Sequence, residues 1–384
     1  MHIEVHNSLQ EIPSKQWNAL IPNGYPFLYH EFLYGLELTQ CTTASTGWKG
    51  HHVVAYTDQT RETIIAALPC YLKTHSYGEY IFDWAWADAY QRAGLPYYPK
   101  LSCAIPFTPV TGPRWMISSS IPSSLDKQKV QETLIEKLTD CANSMNISSI
   151  HFLYTTEEDN EQLNRHDFIK RHSSQFQWEN HNYKDFADFC AQLSSKKRKN
   201  INRERRRVTD ANVTYQWFNA ETLSTEVMET MFRFYCRTIR RYGAQQYLTQ
   251  TFFEHIQQTL SAKTHVLLAY HEEQAIAGGI YYSSEDALYG RYWGASDDFH
   301  SLHFETCYYQ PIEYCIQNNI QRFEAGAQGE HKLSRGLLPV TTYSMHKLLD
   351  QRFHDAIMDY IGDEAQHIER YNQLLNQHSP FKEI

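Results

Sequence analysis

Residues 265–292 read HVLLAYHEEQAIAGGIYYSSEDALYGRY, and this stretch decides the fold class. Residues 265–270 and 275–283 are rich in branched and aromatic side chains. The polar turn His271-Glu272-Glu273-Gln274 separates them, which predicts two antiparallel strands, with a third over 287–292. Upstream, residues 213–218 predict a strand. Residues 222–242 place Leu223, Val227, Met231, Phe234 and Ile239 on one broad face, which predicts a helix. Downstream, 304–318 predicts a helix that Pro311 must kink or restart, because proline has no amide hydrogen. A short strand over 322–325 and a long terminal helix over 351–376 complete the half. The first half has a similar order: strands over 52–57, 63–72 and 149–154, and a helix over 126–146 begun by Ser123, Ser124 or Asp126. Residues 77–114, rich in Trp, Tyr and Pro, read as partly loop. The expected fold class is α+β, two like units in tandem over residues 1–180 and 181–384. Their sheets are mixed and mainly antiparallel, flanked by helices, and residues 186–208 form the join.

The 384 residues carry 35 Lys and Arg against 44 Asp and Glu, a net charge of −9. That balance argues against a general nucleic-acid coat protein. Eight cysteines form no C-x-x-C pair, so they read as buried reduced thiols. Twenty histidines show no spacing such as H-E-x-x-H, and no metal site is expected. No apolar run approaches the roughly 18 residues that span a bilayer. The N-terminus shows no secretory pattern, so a cytoplasmic protein is expected.

The charge is unevenly spread. Residues 196–207 hold eight basic side chains and one glutamate, +7 on twelve residues, which leaves −16 for the rest. At about 100° per residue, Lys196, Lys199, Arg203, Arg206 and Arg207 share one helical face. Phe189, Leu193, Ile201 and Val208 gather toward another. Like charges this close repel unless an anion neutralises them. The helix is therefore a candidate site for a nucleic-acid backbone, a nucleotide pyrophosphate or a phospholipid headgroup. A solvated charged face is the alternative.

A second polar concentration follows the 322–325 strand. Glu324 or Glu330 suits removal of a proton from an amine, as does His331 near neutral pH. Lys332 and Arg335 suit a carboxylate or phosphate. Earlier in the chain, Asp83, Trp84, Trp86, Asp88 and Tyr90 mix acids with aromatics. They read either as a sugar or peptide cleft or as a packed aromatic core with buried acids. Arg114, after Gly112-Pro113, is a further candidate anion contact.

Three stretches resemble the bacterial peptidoglycan biosynthesis/recognition proteins related to the FemAB acyltransferases. One is SYGEYIFDWAWADAY at 76–90, continued through 97–101 and 106–114. The second is the basic helix. The third is YGRYWGAS at 289–296, continued through 323–332 and 335–339. The resemblance implies tandem GNAT-like acyltransferase domains. In FemAB-type enzymes such a pair moves an amino acid from aminoacyl-tRNA to an amine of a peptidoglycan precursor. Carried over, Lys196, Arg198 and Lys199, with Arg203 beside them, face substrate phosphate. Gly294, Ala295 and Ser296 border the acyl-donor channel, and Arg291 and Tyr292 either flank it or make a structural pair.

The chain departs from acetyl-CoA enzymes in one respect. Asp297 and Asp298 stand where a glycine-rich pyrophosphate loop is expected, which disfavours acyl-CoA there. An activated ester needs no covalent nucleophile, so the absence of a G-x-S-x-G elbow is unsurprising. The leading expectation is an N-acyltransferase with aminoacyl-tRNA or another activated acyl donor as co-substrate. No cofactor is firmly implied, the acceptor is an anionic, peptidoglycan-precursor-like or peptide substrate, and tRNA is a candidate partner. The alternatives are an acyl-CoA-dependent enzyme acting on a small amine, and a non-enzymatic module that recognises an anionic glycan precursor or RNA.

Overall fold

The place where the chain turns back sets the division into units. Met1–Ser173 and Thr341–Glu369 form one compact unit, and Ser174–Val340 with the residues from Arg370 onward form the other. The computed structural model describes residues 1–121, 125–296, 299–326 and 329–382. The sequence reading gave residues 341–369 to the second domain, and here the structure differs. Strand Leu338–Leu348 pairs antiparallel with Ser149–Thr155 through residues 343–348. Met345, Leu348, Ile357 and Ile361 are buried among first-unit side chains. Local periodicity carries no signal for a partner so distant in the chain.

In the first unit, strands His2–His6, His52–Tyr56, Ile64–Leu68 and Met116–Ile117 make an antiparallel sheet in that order. A second set runs Leu338–Leu348, Ser149–Thr155, Lys100–Cys103, Tyr71–Lys73 and Trp48–Gly50. Only the pair of Lys100–Cys103 with Ser149–Thr155 is parallel among the register pairs of this set. The 63–72 run, expected as one strand, splits between the two sheets. Pro69 lies at the break, where it cannot donate to a ladder. Helix Lys127–Ser144 buries Val130, Leu134, Leu138 and Ala142 against Val53, Leu68 and Phe152. Asp126 caps it by accepting from the Lys129 amide, whereas Ser123 and Ser124 lie outside the described residues. The segment expected as partly loop contains helix Trp84–Arg92, which buries Trp86 and Tyr90.

In the second unit, Thr214–Phe218, Thr264–His271, Gln274–Ser283, Ala287–Ala295 and Arg322–Glu324 form a sheet in that order, followed by residues 177–179 of strand Ile169–Glu179. Glu272 and Glu273 take left-handed φ values of 48° and 63° to make the tight turn expected between the first long pair. Ala287–Ala295 and Arg322–Glu324 run parallel, and their neighbours run antiparallel. Helix Thr225–Tyr242 starts on the Ser224 side chain and ends on left-handed Gly243. Helix Phe186–Gln192 stops at Leu193, which is extended, and the basic helix begins afresh as Ser195–Asp210. The chain is thus α+β with mainly antiparallel sheets, as the strand pattern predicts. Among the described residues, no helix is long and apolar enough to cross a membrane.

Candidate functional site

The sheet of the second unit opens at one point. Ala287–Ala295 pairs with Arg322–Glu324 only at Ala287, Leu288 and Tyr289. Among the described residues it then continues to Ala295 along Gln274–Ser283. A bulge falls at the same place: Tyr281 faces Gly290 and Ile280 faces Tyr292, which leaves Arg291 as the extra residue. Bulges bend a strand and re-aim a side chain, and they are frequent beside active sites. A cavity of about 110 Å3 lies here, with Gly290–Trp293 on one wall and Ala325 on another. His303, Cys307 and Tyr308 come to it from the helical segment that follows.

That segment is shaped by Pro311, whose ring crowds the preceding turn and which has no amide to donate. A short α turn at Leu302–Phe304 leads into a π turn at Glu305–Tyr309, and α geometry resumes in Gln310–Gln317 with Pro311 in its first turn. The π turn brings Cys307 and Tyr308 to the cavity wall. Such turns recur at functional sites.

Polar groups brace this wall. The Tyr308 hydroxyl lies 2.8 Å from His331 Nε2. Gly329 has φ +115°, and a Cβ there would come within 2.4 Å of the His331 ring, so the ring's position depends on glycine. Arg335 sits 3.4 Å from the centre of the Phe304 ring and donates to the His331 carbonyl at 2.7 Å. It also donates to Glu204 of the basic helix at 2.9 Å, and Glu204 accepts from the Tyr309 hydroxyl. Next along the helix, Arg205 pairs with Glu305 at 3.0 Å and Glu313 at 2.6 Å. Lys332 is buried and donates to the Gly326 carbonyl at 2.6 Å.

Burial sets the charge states. Glu324 is 4% exposed. Its Oε1 accepts from Arg322 at 3.1 Å, and its Oε2 has no hydrogen-bond partner among the described residues. Burial pushes its carboxyl up to about 7, against the opposing pull of Arg322 and Arg291. Burial, reinforced by the positive potential of His331, Arg335 and Lys332, pushes the His303 imidazole down to about 4. The same causes lower His331, and burial lowers Lys332 to about 8. Burial raises the Cys307 thiol, so it remains protonated and a poor nucleophile. Near neutral pH the site therefore holds a half-ionised carboxyl and neutral imidazoles. This set suits proton removal and oxyanion stabilisation around a small bound group.

A family profile described as FemAB-like, peptidoglycan biosynthesis/recognition, matches residues 8–383. The chain belongs to the FemAB-like family. Membership makes the function one related to peptidoglycan biosynthesis or recognition. Among solved structures, FemX aligns with a TM-score of 0.55 at 11% identity, over 93% of this FemAB-like chain and 100% of its own. A conserved protein of unknown function from Bacteroides thetaiotaomicron aligns with a TM-score of 0.52 at 11% identity, over 90% and 100%. At that identity the likeness is one of fold. No curated protein matches the chain.

In this FemAB-like protein Arg291 and Tyr292 line the cavity, His331 and Arg335 stand behind its wall, and Glu324 and Lys332 lie in the same unit outside the lining residues. Other lining residues were passed over by the sequence reading. His303 and Tyr308 are the main omissions, and Pro311 inside a helical pattern was the signal for the turn that presents Tyr308. On the basic helix, Lys196, Lys199 and Arg203 are exposed together with Arg206 and Arg207, and Arg198 is half-buried. Arg205 leaves the cationic set because carboxylates neutralise it. Glu330 is exposed and accepts from the Tyr371 hydroxyl at 2.8 Å.

Gly294, Ala295 and Ser296 lie one step beyond the cavity lining. A Cβ on Gly294 would sit 2.0 Å from the Phe234 carbonyl, so glycine here lets helix Thr225–Tyr242 pack closely. Ala295 packs near Val208, and Ser296 donates to the Ile276 carbonyl. Asp297 and Asp298, on which the argument against acyl-CoA rests, lie outside the described residues.

Two first-unit candidates are engaged inside the fold. Arg114 is 1% exposed, and its guanidinium donates to the carbonyls of Val110, Gly112, Pro113 and Leu153. It braces a loop instead of meeting an anion. Asp83 is also 1% exposed and accepts from Lys100 at 2.5 Å and from the Tyr97 hydroxyl at 2.7 Å, so it neutralises a buried lysine. Trp84 is on the surface, with its ring 5.1 Å from that of Tyr77, whereas Trp86 and Tyr90 are core residues.

Proposed function

We propose that this FemAB-like chain is an N-acyltransferase that moves an activated acyl or aminoacyl group from aminoacyl-tRNA to an amine of a peptidoglycan-precursor-like or peptide acceptor. The observation that carries the reading is the parting of two parallel strands after Tyr289 and Glu324, with a bulge at Arg291 and a cavity in the gap. A gap between parted strands can place backbone groups beside a bound acyl or aminoacyl group. Glu324 is the favoured proton acceptor, since a buried carboxyl near pH 7 matches the task. Attack by the amine nitrogen forms the C–N bond and moves the carbonyl π pair onto oxygen. Collapse then breaks the C–O bond of the ester, the leaving oxygen keeps that pair, and the amine proton passes to Glu324. The exposed face of Lys196, Lys199 and Arg203 supplies a site for substrate phosphates.

The test supplies alanyl-tRNA and acetyl-CoA separately with a lysine-containing acceptor peptide and reads acceptor mass. Mass gain from alanyl-tRNA supports the reading, and gain from acetyl-CoA alone moves the donor to acyl-CoA. No gain with either favours a recognition module. The double variant Lys199→Glu/Arg203→Glu is expected to lose binding of the anionic donor without loss of fold, because both side chains are exposed. Unchanged salt-dependent binding of alanyl-tRNA would remove the helix from the site.

A further inference from the structure

Several polar groups on the cavity wall are already committed. The Tyr308 hydroxyl is engaged with His331, and the Tyr281 hydroxyl donates to the Thr306 carbonyl at 2.6 Å. His303 differs. Its ring lies between Trp293, 4.6 Å away between centres, and Tyr308, 5.5 Å away at a steep angle. Those contacts fix its plane. No hydrogen bond to either of its ring nitrogens is made among the described residues, although the ring lines the cavity. A half-buried imidazole with open nitrogens is placed to meet a bound molecule.

We infer that His303 donates its imidazole N–H to the oxyanion of the tetrahedral intermediate formed in this cavity. The inference rests on the acyl-transfer reading and assigns the charge-stabilising role to a residue outside the proton-transfer step. Burial and the nearby His331, Arg335 and Lys332 disfavour a second proton on the ring, so it stays neutral through the physiological range and offers one N–H. A neutral imidazole is a recognised electrophile for developing oxygen charge. His303 neither gains nor loses a proton. It shortens one hydrogen bond as negative charge builds on oxygen, and lengthens it when the C–O bond breaks.

Two nucleophiles separate this role from that of a base. A primary amine must shed a proton, whereas hydroxylamine is already neutral near pH 7, and both pass through the same oxyanion. Transfer from alanyl-tRNA and from acetyl-CoA is measured with each acceptor for the wild-type chain, His303→Leu, His303→Met and His303→Asn. Loss of one oxyanion donor typically lowers kcat by roughly 100- to 1,000-fold. That loss is expected for the Leu and Met variants with both acceptors, with KM changed less than about threefold. His303→Asn keeps a side-chain N–H and is expected to retain kcat within about tenfold. Met keeps similar length and apolar contacts, so it stands in if the Leu variant does not fold. Loss confined to the primary amine, a rise in KM alone, or an undiminished kcat overturns the inference. A wild-type chain inactive with every donor and acceptor overturns the acyltransferase reading itself, and the role of His303 with it.

Discussion

Lys100→Met tests whether Asp83 belongs to the fold of the first unit. Lys100 is 1% exposed, and its ammonium donates to Ser76 Oγ at 2.8 Å, Glu79 Oε2 at 2.7 Å and Asp83 Oδ2 at 2.5 Å. Methionine fills similar volume and removes the charge, which leaves two buried carboxylates facing each other. Breaking a buried ion pair from one side costs about 3–5 kcal/mol, because the remaining charge stays desolvated. At 1.4 kcal/mol per decade, amide exchange in strand Lys100–Cys103 should speed up by roughly 100- to 4,000-fold. Hydrogen exchange read by mass spectrometry on first-unit peptides measures this without assuming that both units unfold together. The pH dependence gives a second sign. Burial alone would raise the Asp83 carboxyl, but the Lys100 charge overcomes it and holds the group below the usual carboxylate range. In the wild-type chain that stability is present above the unfolded value and lost as pH falls through the folded one. Without Lys100, burial pushes the Asp83 carboxyl up, so the variant should be firmer at pH 5 than at pH 7. An increase in exchange of less than tenfold at pH 7 would refute the argument and reopen Asp83 as a ligand group.

Two further outcomes follow from the second unit. Gly294→Ala places a Cβ 2.0 Å from the Phe234 carbonyl, a backbone atom that no rotamer change can move aside. A loss of about 1–3 kcal/mol is expected from overpacking, read as a lower Tm, and an unchanged Tm would show that helix Thr225–Tyr242 shifts freely. Glu324 has a folded value raised to about 7 from 4.5 by burial, so its protonated form favours folding. Stability is expected to fall as pH rises from the unfolded value through 7, while transfer rate rises over the same range. In Glu324→Gln both dependences should flatten, and a transfer rate that still rises with a midpoint near 7 would assign the proton to another group.

Much of this molecule is legible from its residues. Residue type and turn chemistry mark the strands from 265 to 292, since side-chain direction in a strand is a local property. Helical rotation likewise puts Lys196, Lys199, Arg203, Arg206 and Arg207 on the exposed face and Ile201 and Val208 on the buried one. Arg205 and Glu204 escaped that reading because their partners Glu305, Glu313 and Arg335 are about a hundred residues or more away. Arg114 and Asp83 looked like ligand contacts for a similar reason: a charged side chain next to glycine, proline or tryptophan has the same sequence signature whether it faces water or a buried counter-charge.

The sequence by itself determines the α+β class, the strand run that begins at 265 and the cationic face of one helix, all of which arise from neighbours within a few residues. The tertiary structure alone decides where parallel strands part, which residue of a strand is bulged, and that Pro311 forces a wide turn aiming Tyr308 at a cavity. It also decides that residues 341–369 return to the first unit. These features depend on register and packing between segments far apart in the chain, where burial can move a carboxyl or an imidazole by more than two pH units.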